Sequence, residues 1–341
     1  MAEPTKDPSS RILSGVTLVC TVYRERAGIS EFLDSIAGMR RQPGEFIILD
    51  GGSDDGTVDL IRERFAAWEE GVQCRLIIDR SCTIASTPAP IAKGRNIAIR
   101  EAKHEIIAIT DAGCLVDPDW LQSIVTPLLQ DSSVGMVGGW YEPLVRTFFD
   151  ECQGLASFRP PESVRGETFL PSSRSVAFRR SIWRSVGGYP EIGLAAEDTL
   201  LDMRVRAAGF RIVYEPSAIV YWKLRPSVRL FGRLIYRYGV GDGFCRIERW
   251  NAVRNAMKLV IGALLLGLGI TIHPVFIAAA VAYWWLLPFA YKPREAFRIR
   301  RIAHYPVVAF LKIVSDAAYL LGYFVGRNSA EYPRFQRVSG S

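Results

Sequence analysis

Histidine is scarce here, three residues in 341. None of them (His104, His273, His304) is placed to be a metal ligand, and surface or interfacial positions are expected for all three. The six cysteines, Cys20, Cys74, Cys82, Cys114, Cys152 and Cys245, are scattered. No C-x-x-C pair occurs, which argues against a zinc ribbon or a dithiol redox motif. Several lie in apolar runs, where cysteine behaves as a small buried hydrophobe, and this usage suits a reducing compartment. No G-x-G-x-x-G follows the first strand-like run, which disfavours an ordinary dinucleotide-binding domain. No helix-turn-helix, zinc-finger or RNA-recognition signature accompanies the basic charge, so nucleic acid is not an expected partner. Met1 to Ser10 is polar and lacks the apolar core of a secretory signal.

What is present is apolar and basic. Hydrophobic residues make up 49% of the chain, the net charge is +7, and the mean hydropathy is +0.12. The apolar excess collects after Lys258, and basic residues are densest between Arg204 and Arg301. That balance fits an anionic membrane surface or phosphate-bearing ligands. The length allows one large or two modest domains.

The first half alternates strand and helix signals. Val16 to Val22 is a β-branched run, followed by helical spacing over Ser30 to Met39. Glu45 to Leu49 predicts a second strand, with a helix after Thr57, and Gln73 to Asp79 predicts a third. Ile91 to Lys103 predicts a helix that carries Arg95 and Asn96. It leads into the apolar strand Ile106 to Ile109, which ends at Asp111. Asp117-Pro118 is expected to open the next helix, with Asp as N-cap and Pro at the first helical position. Further signals are a strand over Val134 to Gly139, a helix over Phe148 to Phe158, a strand over Ser173 to Phe178 and a helix from Ala196 to Ala208. Two short strands, Arg211 to Tyr214 and Ala218 to Trp222, close the series. The pattern predicts an α/β fold, a mixed but mainly parallel sheet with helices on both faces. Ligands of such sheets bind at the carboxyl ends of the strands. Three acidic clusters fall at strand ends or helix starts: Asp50 with Asp54, Asp111, and Glu197-Asp198. They are expected to converge on one rim, with Asp198 facing Asp50 and Asp111.

The motifs in this order resemble the family 2 glycosyltransferases, whose fold is GT-A, over roughly residues 15–240. Thr21-Val-Tyr-Arg-Glu25 looks like the family's first nucleotide loop, with Arg24 where Asn is usual. Ile48-Leu-Asp-Gly-Gly-Ser-Asp-Asp-Gly-Thr57 looks like its second-strand signature. Gly94-Arg95-Asn96 resembles the Ala-Arg-Asn that opens the next helix. Thr110-Asp111-Ala-Gly113 stands where the family has Asp-x-Asp. Ser173 to Phe178 with Arg179-Arg180, then Gly187-Gly188-Tyr189, resembles the acceptor-side segment. Glu197-Asp198 is similar to the pair whose Asp serves as base. Tyr221 to Ser227, with Tyr238-Gly239, is similar to bacterial exopolysaccharide transferases of the succinoglycan type. The resemblance implies a nucleotide-sugar site with Thr21, Glu25, Asp50, Arg95 and Asp111, and a catalytic pair in Asp198 and Glu197. It also implies a divalent cation, Mg²⁺ or Mn²⁺, with Asp111 as its ligand. Gly113 removes the family's second carboxylate and Trp222 stands near the expected His, so metal dependence is left open. Cationic side chains are the alternative. Arg225, Arg229, Arg233 and Arg237 recur every four residues. If Ser227 caps a helix, the last three share a face suited to a diphosphate or a lipid-linked phosphate.

No charged residue lies between Lys258 and Lys292, and Pro274 divides that stretch, which predicts a transmembrane hairpin. Tyr283, Trp284, Trp285 and Tyr291 fit an interfacial belt, and the flanking Arg/Lys clusters place both ends in the cytosol. In Tyr305 to Val325, Lys312 and Asp316 can neutralise each other at i,i+4, so a third span or a re-entrant helix is expected. The expected organisation is a tail (1–12), a GT-A domain (13–225) and a basic amphipathic connector (226–257). A hairpin (258–291), a basic cytosolic loop or interfacial helix (292–303), a third apolar helix (304–327) and a tail (328–341) follow. The function read from this is inverting transfer of one sugar from a nucleotide-sugar donor to a lipid-linked oligosaccharide or polysaccharide. It would occur at the cytoplasmic face of the inner membrane. The alternative is a catalytically silent scaffold of a polysaccharide assembly complex; a nucleotidyltransferase would need a Gly/Arg-rich phosphate loop after the first strand.

Overall fold

The structure, a computed structural model, describes residues 11–158, 161, 164, 166–193, 195–291 and 303–329. The N-terminal tail to Ser10, the basic segment 292–302 and the tail from residue 330 lie outside the described residues. Contacts divide the chain into two units. One is Met1–Glu142 with Val164–Lys223; the other is Pro143–Ser163 with Leu224–Ser341. Helix α5 (Phe148–Ser157) belongs to the second of these units.

The first unit is built on an eight-stranded sheet. Its strands are β1 (Ile12–Val22), β2 (Gln42–Asp50), β3 (Gln73–Ile78), β4 (Ile106–Ile109), β5 (Cys114–Val116), β6 (Val134–Leu144), β7 (Val176–Arg179) and β8 (Arg211–Lys223). The spatial order is β3-β2-β1-β4-β7-β6-β8-β5. β3, β2, β1 and β4 run parallel. The β4–β7, β6–β7 and β5–β8 pairs are antiparallel. This is the mixed, two-faced sheet that the alternation predicts.

Side chains of the central strands alternate between two cores, as the pleat requires. Leu18, Phe46 and Ile48 pack with Phe32 of α1 (Ile29–Ala37) and Trp120 of α4 (Trp120–Gln130). Val19, Ile47 and Leu49 pack with Ile99 of α3 (Pro90–Glu101) and Leu201 of α7 (Glu197–Ala207). Between them in sequence lie α2 (Thr57–Ala66), α5 (Phe148–Ser157) and α6 (Arg180–Ser185).

Three local expectations need correction. The helix after Asp111 starts at Trp120, not at Pro118, because the Asp117 carboxylate accepts from the Asp119 N–H at 2.9 Å and closes a turn first. The stretch between Gly113 and Asp117, for which no strand was expected, contains β5. Its residues Cys114, Leu115 and Val116 pair with Trp222, Tyr221 and Val220. The two short strands near the end of this unit are one strand, β8, which that pairing extends.

The second unit is helical: α5, α8 (Val228–Cys245), α9 (Arg249–Thr271), α10 (Val275–Tyr291) and α11 (His304–Arg327). The Ser227 hydroxyl accepts from the Leu230 N–H at 3.3 Å, so Ser227 caps α8 as expected. α8 and α11 meet backbone to backbone. A Cβ on Gly239 or Gly243 would strike the carbonyl oxygens of Tyr319 or Tyr323. One on Gly322 or Gly326 would strike those of Tyr236 or Val240. Each helix thus carries a Gly-x-x-x-Gly pair that lets the other approach, the small-residue packing used in apolar surroundings. α9 and α11 are long and apolar enough to cross a membrane; Val275–Leu286 of α10 is apolar but shorter.

Charges inside this unit are matched across helices. Lys258, expected as a flanking residue, is buried within α9, and its Nζ lies 2.9 Å from Asp316 of α11. Asp316 thus has a partner on another helix in addition to any pairing along its own. His304, expected near a surface, is buried, stacks on Phe148 at 4.7 Å and lies 2.9 Å from the Glu151 carboxylate. Tyr283 and Trp284, expected in an aromatic belt, pack within the α9–α10 hairpin. The Tyr283 hydroxyl donates to the Lys258 carbonyl at 3.2 Å, and the Trp284 ring covers Gly262.

The glycine contacts generate a contrast. Gly322→Ala should destabilise the detergent-solubilised chain by about 1–3 kcal/mol through overpacking. Gly267, which has nothing within 4 Å of an added Cβ, should tolerate Ala with no loss. Thermal unfolding followed by tryptophan fluorescence measures both.

Candidate active site

The carboxyl ends of β1, β2 and β4 form one rim because these strands are parallel. Val22 pairs with Asp50, and Val19 with Ile109. Asp50 and Asp111 therefore stand two strands apart, a lateral distance of roughly 10 Å.

The rim is closed on one side by α3. Gly94 lets this helix approach the strands: an added Cβ would lie 3.0 Å from Leu49 Cδ2 and 3.1 Å from Thr21 Cγ2. The next residue, Arg95, is buried, and its guanidinium forks between two carboxylates. One nitrogen donates to Asp111 at 2.7 Å and another to Glu197 at 2.9 Å. The guanidinium also lies over the Tyr189 ring, 5.3 Å from its centroid. Asn96 holds the same loop. Its amide donates to the Tyr189 carbonyl at 2.8 Å and to Glu191 at 3.0 Å, and its oxygen accepts from the Tyr189 N–H at 2.9 Å. Gly188, at φ +73, makes the turn that brings this loop back.

Asp198 follows Glu197 in the first turn of α7. One of its oxygens accepts from the Ser173 N–H at 3.4 Å. The Ser173 hydroxyl and the Tyr189 phenol lie 2.9 Å apart. Arg95, Asp111, Glu197 and Asp198, 103 positions apart at the extremes of the chain segment, thus share one neighbourhood of the fold.

Asp50 is placed differently. It is fully buried and accepts from the Gly52 N–H at 2.7 Å, the Ser53 N–H at 2.6 Å and the Ser53 hydroxyl at 2.7 Å. Its carboxylate shapes the turn after β2. Thr21 sits at the end of β1, and the Glu25 N–H donates to the Thr57 hydroxyl at 3.0 Å. Arg24, in the left-handed region at φ +53, forks onto Asp54 at 2.7 and 2.8 Å. Asn tolerates that conformation better than arginine does. Arg225, Arg229, Arg233 and Arg237 belong to the second unit. The last three lie on α8 at one-turn spacing, with Arg229 and Arg233 exposed, while Arg225 precedes the cap.

Two residues were missed from sequence. Asp202 is buried one turn after Asp198; its spacing of four from Asp198 was the available signal. Burial first, then the Asp198 charge, pushes its carboxyl well above the ordinary range. Arg174 precedes β7, and its guanidinium lies 4.0 Å from the Trp222 ring centroid and 5.1 Å from that of Tyr141. No periodicity pointed to it.

For a divalent cation the donors are few. Asp111 brings one carboxylate, already engaged by Arg95. Gly113 brings none, and Trp222 stands beside it. Among the described residues no three His, Cys, Asp or Glu side chains form a metal-binding group. Among the described residues these side chains do not build a metal site by themselves; Asp111 could hold a cation together with oxygens that a ligand supplies.

Comparison with known proteins follows the same lines. The profile described as glycosyl transferase family 2 matches residues 17–185, and that described as glycosyl transferase family group 2 matches residues 106–292. Glycosyltransferase AglE of Haloferax volcanii is 24% identical over 284 residues, 82% of each chain. Poly-beta-1,6-N-acetyl-D-glucosamine synthase of Staphylococcus aureus is 23% identical over 224 residues, 63% of this chain and 51% of that one. The chain thus spans about half the length of the synthase. The mannosyltransferase PcManGT of Pyrobaculum calidifontis, solved with GDP-Man and Mn²⁺, superposes with a TM-score of 0.55 at 21% identity. The match covers 92% of this chain and 86% of that one.

Glu197 gives the site a pH signature. Burial and then the adjacent Asp198 raise its pKa above the ordinary 4.5; Arg95 opposes them, and Asp111 adds to the rise. Between 4.5 and the raised value the folded chain binds more protons than the unfolded one. This group's contribution to stability therefore falls as pH rises through that window. Glu197→Gln removes the titration. Its stability relative to wild type should improve as pH rises from 4.5 and level off above the raised value, as read by thermal melts at stepped pH.

Proposed function

Because the chain belongs to the family 2 glycosyltransferases and acts on nucleotide-sugar donors, we propose that it moves one sugar, with inversion, to a lipid-linked oligosaccharide or polysaccharide. In this reading the reaction takes place at the cytoplasmic face of the inner membrane. The observation that carries the reading is the Arg95 fork. It ties Asp111, at the donor rim, to Glu197, beside the candidate base.

The chemistry assigned to each residue follows from its position. Thr21, Glu25 and the turn shaped by Asp50 receive the nucleoside, and Asp111 with Arg95 orders the sugar-diphosphate side. Asp198 takes the proton of the acceptor hydroxyl. The acceptor oxygen bonds to the anomeric carbon from the face opposite the diphosphate. The carbon–oxygen bond to the phosphate breaks, and its electron pair leaves with the diphosphate. One carboxylate on the acceptor side suffices, because the leaving group departs as an anion. Glu197 and Ser173 orient Asp198 rather than react. The mannosyltransferase solved with Mn²⁺ supports a divalent cation, Mg²⁺ or Mn²⁺, which Asp111 would hold. Such an ion would supply positive charge to the departing diphosphate.

Three features support a lipid-linked acceptor and a membrane location. α9 and α11 have the length and apolarity of spans. A groove of about 490 Å³ is lined by Ala252, Val260, Leu320 and Phe324, with Arg249 and Arg327 also on its wall. Arg229, Arg233 and Arg237 form a basic line on α8, suited to anionic headgroups or a lipid phosphate. The relatives named as a polysaccharide synthase support the polymer class of acceptor.

The test is a donor screen on detergent-purified protein with lipid-phosphate acceptors. Asp198→Asn should lower turnover about 10²- to 10⁴-fold, the usual contribution of a general base. Binding of the nucleoside diphosphate should be retained. An unchanged rate in Asp198→Asn would remove the base from this scheme.

A further inference from the structure

Resting on the membrane reading above, we propose that the groove between α9 and α11 holds one anionic phospholipid, its phosphate between Arg249 and Arg327 and one acyl chain along the apolar walls. The lining is ordered along both helices. On α9 it recurs at helical spacing, through Arg249, Val253, Ala256 and Val260. On α11 it runs Leu320, Tyr323, Phe324 and Arg327. Arg249 opens α9 and Arg327 closes α11, while the Lys258–Asp316 pair joins the same two helices further in. The helices therefore pass antiparallel, and both guanidiniums mark one end of the groove. Beyond them every lining side chain is apolar except for the Tyr323 hydroxyl. Met257 and Phe324 on its walls are 59% and 53% exposed, apolar surface that favours a hydrocarbon neighbour over water.

Charge, depth and an orphaned hydroxyl select the occupant. Arg249 and Arg327 are both exposed, and two guanidiniums suit a phosphate. Glu248, the acid beside Arg249 in the chain, accepts from the Asn251 amide. A headgroup that carries its own cation, such as choline, would bring a like charge to this end. Trp250 is 71% exposed, and the Arg249 guanidinium lies 5.2 Å from its ring centroid. An exposed tryptophan at the end of an apolar helix settles at the membrane–water interface, which puts the arginines at headgroup depth. From Arg249 to Ile261, the innermost lining residue of α9, is roughly 18 Å of helix. Half of a ~30 Å hydrocarbon core is about 15 Å. The groove thus spans one leaflet, the reach of a phospholipid chain and less than a long-chained lipid-linked acceptor would occupy. One turn inward from Arg327, the Tyr323 hydroxyl is buried and has no hydrogen-bond partner among the described residues. A buried polar group in that state calls for an acceptor, and the ester carbonyls of a phospholipid lie one step inside its phosphate.

Native mass spectrometry of the full chain in detergent, titrated with palmitoyl-oleoyl phosphatidylglycerol and with the phosphatidylcholine of the same chains, tests this. Wild type should bind the anionic lipid about 5- to 25-fold more tightly, the range set by one to two arginines near a membrane surface. Arg249→Gln and Arg327→Gln should each weaken phosphatidylglycerol about fivefold and leave phosphatidylcholine unchanged. Arg254→Gln, on α9 but outside the groove with its guanidinium on Asn251, should alter neither. Ala256→Phe, which fills the groove, should weaken both lipids. Melting curves establish that each variant is folded, and Ala256→Leu serves where Ala256→Phe is not. Equal affinity of wild type for the two lipids, or a loss at Arg254 as large as at Arg249, would overturn the assignment alone. Displacement of phosphatidylglycerol by an equimolar polyprenyl phosphate would also overturn it, giving the groove to the acceptor instead. Recovery of the full chain in the soluble fraction of lysed cells without detergent would overturn the membrane reading and the assignment together.

Discussion

The catalytic unit depends on one buried guanidinium. Arg95 is removed from water, a costly state for any charge unless opposite charges accompany it. Asp111 and Glu197 do so at 2.7 and 2.9 Å. Between the two acids the chain passes through β5, α4, β6, α5, β7 and α6. Glu197 is a buried acid beside a second acid, and both conditions favour its neutral form while Arg95 opposes them. The arginine therefore does two things at once. It ties Asp111 to α7, and it opposes the pull of burial and of Asp198 toward the neutral form of Glu197.

Much of this was legible in the sequence, for a physical reason. Buried parallel strands need continuous β-branched runs, and Val16 to Val22 and Ile106 to Ile109 supply them. Acidic residues at their ends, together with Gly94-Arg95-Asn96, mark a rim because the strand direction carries every parallel end to the same side. What was hidden depends on pairing between distant segments. β5 is three residues long, too short to register as a strand, and exists because Trp222, Tyr221 and Val220 present an edge to it. Arg174 was invisible for the same reason: its meaning comes from Trp222 and Tyr141, which strands β8 and β6 bring to it. Asp50 was read as a ligand-facing acid, yet its bonds go to the backbone of its own turn. An Asp followed by Gly-Gly-Ser serves that purpose as naturally as recognition.

The helical unit shows a different limit. Apolar runs located its long helices, and Ser227 correctly signalled the start of α8. The partners of its charges could not be read, because a charge in an apolar segment seeks whichever helix brings an opposite charge. Lys258 closes the apolar stretch on paper but lies inside the packed helices, neutralised by Asp316. The glycines carried more information than their spacing suggested. Gly239, Gly243, Gly322 and Gly326 are where two helix backbones touch, so they set the distance over which such side-chain pairings form.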